Sequence, residues 1–180
     1  LNPLSHIDPI GFLMLIFVHF GWGKPVEINP TNFNRKRSMS AQEAIVALAG
    51  PLINLIIKAI SIILKLDLNI IYSNLIIAVF NLIPIYPLDG GRILKSILKL
   101  KLDEKKVYEI VNRISNITII ALTATTSIVI LYIHNIAIVF ALAYLWYIVI
   151  RENKRYKIIK RIYDVIETNE IEKNYKELDK

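Results

Sequence analysis

Four apolar stretches, Gln42–Leu66, Leu68–Ile85, Ile114–Ile133 and Ile136–Ile150, constrain this chain more than any other feature. About 20 helical residues cross a bilayer, whose hydrocarbon offers no partner to an unbonded N–H or C=O, so runs of this kind fold as helices. The last run is short and borrows Arg151 and its neighbours, whose long stems snorkel to the interface. An earlier run, Ile10–Trp22, reaches only about 20 Å at 1.5 Å per residue. It is expected to be a re-entrant or partly inserted segment, or the end of a span that begins earlier. Hydrophobic residues make up 54% of the 180, more than an ordinary soluble domain carries. The expected fold is all-α: a polytopic membrane protein with about four full transmembrane helices, a short N-terminal inserted segment and a basic tail helix.

Charge sorts the connections between these runs. Lys24, Arg35, Lys36 and Arg37 precede the first full span, the stretch from Arg92 to Arg113 is strongly basic, and so is the tail from Arg151. The turns near Asp67 and at His134-Asn135 carry no Lys or Arg beyond Lys65 at a helix end. If all four runs cross, the basic segments share one face, and the positive-inside rule puts that face and the C-terminus in the cytoplasm. Residues 1–150 then form the transmembrane region and 151–180 a cytoplasmic juxtamembrane tail. The net charge of +7 fits anionic lipid headgroups rather than nucleic acid, because no stripe of interleaved aromatic and basic residues is present. Anionic lipid is the expected contact of Arg151–Arg161. The chain has no cysteine, so any metal ligands must be His, Asp or Glu.

Local signals add detail. Ser40-Ala-Gln-Glu43 has the form of a capping box at the start of the first full span, and Asp103 can cap an amphipathic helix through Lys105–Arg113. Ile158, Ile159, Ile162, Val165 and Ile166 recur at helical spacing beside basic residues, which predicts an interfacial helix continuing the last span. Gly50-Pro51 frees the carbonyl of Ala47, and small Ala47, Ala49 and Gly50 permit close helix approach, a packing role first. Asn54 reads as structural in the same way.

The segment Asn81-Leu-Ile-Pro-Ile-Tyr-Pro-Leu-Asp89, followed by Gly90-Gly91-Arg92, places a carboxylate at the end of an apolar run. Pro84 and Pro87 lack the N–H that a helix needs and clash with the preceding turn, so the helix breaks there. A charge beside a spanning segment is costly unless it is paired, hydrated or bound to a cation. The segment therefore has the character of a polar pocket lining. Asp89 by itself could equally be a turn residue bonding its own backbone, and Asn81 an amide bridging helices.

Three separated pieces, Leu1-Asn-Pro-Leu-Ser-His-Ile-Asp-Pro-Ile-Gly11, Ala49-Gly-Pro-Leu-Ile-Asn54 and Asn81 through Gly91, together resemble the site-two protease family of intramembrane zinc metalloproteases. The first piece is similar to compact bacterial members, while the Tyr86 context and the basic tail are similar to the sporulation factor-processing branch; the resemblance implies a bacterial cytoplasmic membrane. In that family an H-E-x-x-H span supplies two zinc-binding His and a Glu general base. The resemblance implies that Asp89 is the third zinc ligand and that the Asn81 amide stabilises an oxyanion. It also implies a membrane-anchored protein substrate cleaved within its transmembrane segment.

The chain departs from the family pattern in one respect: it holds His6, His19 and His134 but no H-E-x-x-H. These histidines do not have the spacing of one helix face and are expected to be structural or solvated. Family members carry the missing motif upstream of the Leu-Asn-Pro segment, so the chain is expected to be the later part of a longer protein. A zinc site needs those His ligands. Two other classes compete, a non-catalytic remnant acting in membrane binding or assembly and a small transporter or channel subunit. The latter is disfavoured because the broken-helix motif occurs once, without the paired halves such folds use.

Overall fold

The computed structural model describes residues 38–133 and 135–178, with isolated positions 9 and 12, and among the described residues five helices form: α1 (Met39–Ile63), α2 (Leu68–Asn81), α3 (Asp89–Lys99), α4 (Glu104–Ile133) and α5 (Ile136–Leu178). No strand occurs among the described residues. The run Ile10–Trp22, apart from position 12, and all three histidines lie outside them.

The turn between α1 and α2 is built from backbone bonds that close the first helix and open the second. Lys65 adopts a left-handed φ of 53°, which lets its N–H donate to Ile62 O at 3.1 Å and that of Leu66 to Ser61 O at 2.9 Å. This is a Schellman closure, formed around a non-glycine residue. Asp67 then caps α2 by accepting from the Asn69 N–H at 2.7 Å. α1 and α2 pack on each other, α1 also packs on α3, and α4 packs on both α3 and α5. The fold is thus two helical pairs joined through the short α3.

Among the described residues three helices, α1, α4 and α5, are long and apolar enough to cross a membrane. α2 differs from expectation: its 14 residues span about 21 Å, short of the roughly 30 Å hydrocarbon layer. The apolar run continues to Ile85, but the helix ends at Asn81 because Pro84 and Pro87 cannot extend it. The expected count of four full spanning helices is therefore not reproduced. Large side chains face outward along the apolar helices, among them Ile53 at 56%, Ile76 at 65% and Leu131 at 72% exposure. Such contiguous apolar surface is not stable in water, and lipid is the solvent that accepts it. The protein is an integral membrane protein.

Other local expectations meet mixed outcomes. The capping box does not form, because α1 begins at Met39 with Ser38 as its N-cap and no side-chain cap bond. Ser40 is already inside the first turn, and Glu43 instead turns outward to accept from the Ser96 hydroxyl of α3 at 3.5 Å. Asp103 does stand immediately before α4, its carbonyl accepting from the Val107 N–H at 3.0 Å, while its carboxylate lies 3.5 Å from Lys106 Nζ.

α4 and α5 are joined along their length. Asn116 and Asn153 exchange two amide bonds of 2.8 Å each, and the Trp146 indole N–H donates to Thr123 Oγ1 at 2.9 Å. Beyond these, Lys105 Nζ lies 3.1 Å from Asp164 and 2.7 Å from Glu167. α5 runs unbroken from the apolar segment into the tail, so these contacts hold the two helices together past the end of the apolar zone. Ile158, Ile162, Val165 and Ile166 remain exposed on that tail.

Candidate active site

The break after α2 is a tight, internally bonded loop. Leu82 N–H still donates to Ala78 O at 3.1 Å and Ile83 N–H to Phe80 O at 3.2 Å, after which Pro84 ends the ladder. Ile85 N–H returns to Ile83 O at 2.7 Å, Leu88 N–H to Ile85 O at 2.8 Å, and α3 opens at Asp89. The Tyr86–Pro87 peptide is cis.

Two anchors fix this loop to the rest of the molecule. Ile85 is fully buried and packs in a cluster with Ile119 of α4 and Leu145, Ile148 and Val149 of α5. Tyr86 N–H donates to Ser115 Oγ of α4 at 3.2 Å, and that hydroxyl in turn donates to Val111 O at 2.9 Å. Gly90 and Gly91 then permit the return path. A Cβ on Gly90 would fall onto the carbonyl of Leu82, and one on Gly91 onto the backbone of Ile85 and Tyr86. The loop crosses itself there, with Asn81 one residue before the crossing and Asp89 one residue before its far side. Only glycine lets the backbones approach so closely.

Asp89, half-buried in the first turn of α3, gains from the partial positive charge of the helix N-terminus. Its carboxylate makes no hydrogen bond or ion pair with any described residue, although the charge of Arg92 acts on it. Asp89 Oδ2 is turned onto α1, 3.1 Å from the position a Cβ would take on Gly50. The Ala49-Gly50-Pro51 and Pro87-Leu88-Asp89 pieces, more than 30 positions apart in the chain, therefore meet. Gly50, a packing residue by its sequence context, is exposed at this face, and its missing side chain leaves room for the carboxylate. The signal was present in the motif but not in the local pattern.

Asn81 is the last residue of α2, half-buried, and its amide engages no described residue. Asn54, on α1, likewise shows no amide bond among the described residues. Buried Pro51 and Ala47 face the helix contacts while Gly50 faces Asp89, so the small-residue stretch divides between packing and the site. Lys58 carries no shown role.

Among the described residues no three His, Asp or Glu side chains come together to hold a metal ion. Asp89 alone does not fit a catalytic zinc, which takes three protein ligands.

Fold and site define an integral membrane protein in which a broken helix presents a carboxylate to a Gly-Pro helix. Residues 63–122, which take in α2, the loop, Asn81 and Asp89, match Peptidase family M50. The chain is 30% identical to the candidate zinc metalloprotease YwhC of Bacillus subtilis strain 168, over 54% of this chain and 52% of that protein. It is 42% identical to the zinc metalloprotease MJ0392 of Methanocaldococcus jannaschii, over 31% of this chain and 20% of that protein. No solved structure matches the chain. The chain is thus similar to Peptidase family M50 and to two zinc metalloproteases, in agreement with the resemblance its motifs carry. It spans about half the length of YwhC and a fifth of MJ0392.

Proposed function

We propose that these residues form part of an intramembrane zinc metalloprotease that hydrolyses peptide bonds within the transmembrane segments of membrane-anchored substrates. The observation that carries the proposal is Asp89, a carboxylate without a hydrogen bond among the described residues, held at a helix break and turned onto Gly50 of α1. A carboxylate in that position is suited to hold a cation, and zinc is the cation named for both relatives. Asp89 supplies one ligand, and the other ligands and the general base belong to an H-E-x-x-H helix that these 180 residues do not contain. The role of Asn81 is to donate its amide N–H to the oxyanion that develops on the substrate carbonyl. The basic stretches Arg92–Arg113 and Arg151–Arg161, with the C-terminus, face the cytoplasm and its anionic lipid.

The test joins this chain to an H-E-x-x-H-bearing segment of the same protein and measures zinc content and substrate cleavage side by side. Asp89→Asn should lose both zinc and cleavage. Asn81→Ala should keep zinc while turnover falls about 100- to 1,000-fold, the usual cost of one oxyanion donor. Near-normal cleavage by both variants would sink the site assignment.

A further inference from the structure

A second cluster of charged and aromatic side chains lies beside the loop, between α3, α4 and α5. Its centre is Lys95, half-buried, with the ammonium 4.0 Å from the centre of the Tyr108 ring and 4.7 Å from that of Tyr86. Among the described residues no carboxylate comes within 4 Å of it, whereas Lys99, Lys105, Lys106, Arg113 and Arg155 all have one. Arg155 lines the same cleft together with Asn112 and Tyr156. Its one acidic neighbour there, Glu152, is held only at 4.0 Å. The cleft thus carries two cations against one loosely paired carboxylate, with amide and phenol groups around them.

Location narrows the ligand. The apolar run of α5 ends at Ile150 and the basic tail begins at Arg151, so Glu152 and Arg155 follow the last apolar residue within about two helical turns, where headgroups are expected. Tyrosine and basic side chains are the groups that partition to that depth. Aromatic faces attract the ammonium but leave its N–H donors free to reach an anion. Burial lowers the Lys95 pKa most, Lys99 and Arg155 add to the fall, and Tyr86 and Glu104 oppose it; a bound anion favours the charged ammonium.

We propose that this cleft binds a phosphate group at the membrane surface through the Lys95 ammonium and the Arg155 guanidinium. Because Tyr86 is both a wall of the cleft and part of the loop that ends at Asp89, an occupied cleft braces that loop against α4. The inference stands apart from the protease reading, since it needs neither zinc nor substrate.

The purified chain in neutral detergent is titrated with phosphatidylglycerol and, separately, with inorganic phosphate, following the thermal unfolding midpoint and tyrosine fluorescence. The lipid should raise the midpoint saturably. Lys95→Gln and Arg155→Gln should each weaken the half-saturating concentration about tenfold or more, as expected for loss of a charge-assisted hydrogen bond, while Lys160→Gln, an exposed basic residue of the same tail, leaves it unchanged. A response to phosphatidylglycerol alone assigns the site to a lipid headgroup, and an equal response to inorganic phosphate assigns it to soluble phosphate; both uphold a phosphate site. Absence of saturation with either probe overturns the proposal. So does an unchanged response in the Arg155 variant, whose exposed side chain is not needed for folding.

Discussion

At the scale of single residues, the glycines separate site from scaffold. Gly50 lies in the middle of α1, where alanine is the better helix former by about 1 kcal/mol. A Cβ there would stand 3.1 Å from Asp89 Oδ2, close enough to push a short carboxylate aside by a few tenths of an ångström. Gly50→Ala is therefore expected to keep or raise the thermal midpoint in detergent while lowering zinc retention and cleavage in the protein carrying the H-E-x-x-H segment. Gly91→Ala should do the opposite first, because its Cβ meets the backbone of Ile85 and Tyr86; destabilisation of about 1–3 kcal/mol is the usual cost of such overpacking. Thermal unfolding and cleavage assays on both variants decide, and a Gly50→Ala protein with normal cleavage would remove that residue from the site. Asp89 and Asn81 stood out in the sequence because a carboxylate and an amide flank two prolines in an apolar setting. Gly50 did not, since nothing local to α1 says what faces its bare backbone.

Among the elements, the loop between α2 and α3 shows how far hydropathy carries. Ile85 extends the apolar run and was expected to close the second span, yet it is a buried plug between α4 and α5. Its burial contributes the transfer free energy of a full side chain, so Ile85→Ala is expected to cost about 2–5 kcal/mol and to free the loop. Thermal unfolding measures the first effect, and faster proteolysis within residues 82–88 the second. A loss below about 1 kcal/mol would mean that the loop is held by the Tyr86–Ser115 bond instead. The helix break itself was legible, because proline has no N–H. The plug was not, because an isoleucine in a spanning helix and one in a buried loop have the same hydropathy. The failed capping box has a similar cause: Glu43 suits either its own helix end or Ser96 of α3, and packing of α1 on α3 selects the latter.

For the whole molecule, the arrangement of charge around apolar helices leads to a topology that labelling can test. Cysteine substitutions in the Arg92–Arg113 connection and in the tail should react with a membrane-impermeant reagent only from the cytoplasmic side, and substitutions at 134–135 only from the opposite side. Finding 134–135 on the cytoplasmic face would overturn the proposed orientation. The sequence by itself determined the all-helical class, the membrane as solvent, the break at Pro84 and Pro87 and the candidacy of Asp89, because each rests on local chemistry: apolar length, a missing donor, a charge where charge is costly. Only the tertiary structure decided that α2 stops at 14 residues, that Gly50 faces Asp89, and that Lys95 gathers Tyr86 and Tyr108 around it. Those facts depend on which surfaces meet after folding, and packing among helices of similar hydropathy is settled by shape and by a few hydrogen bonds, neither of which a linear pattern records.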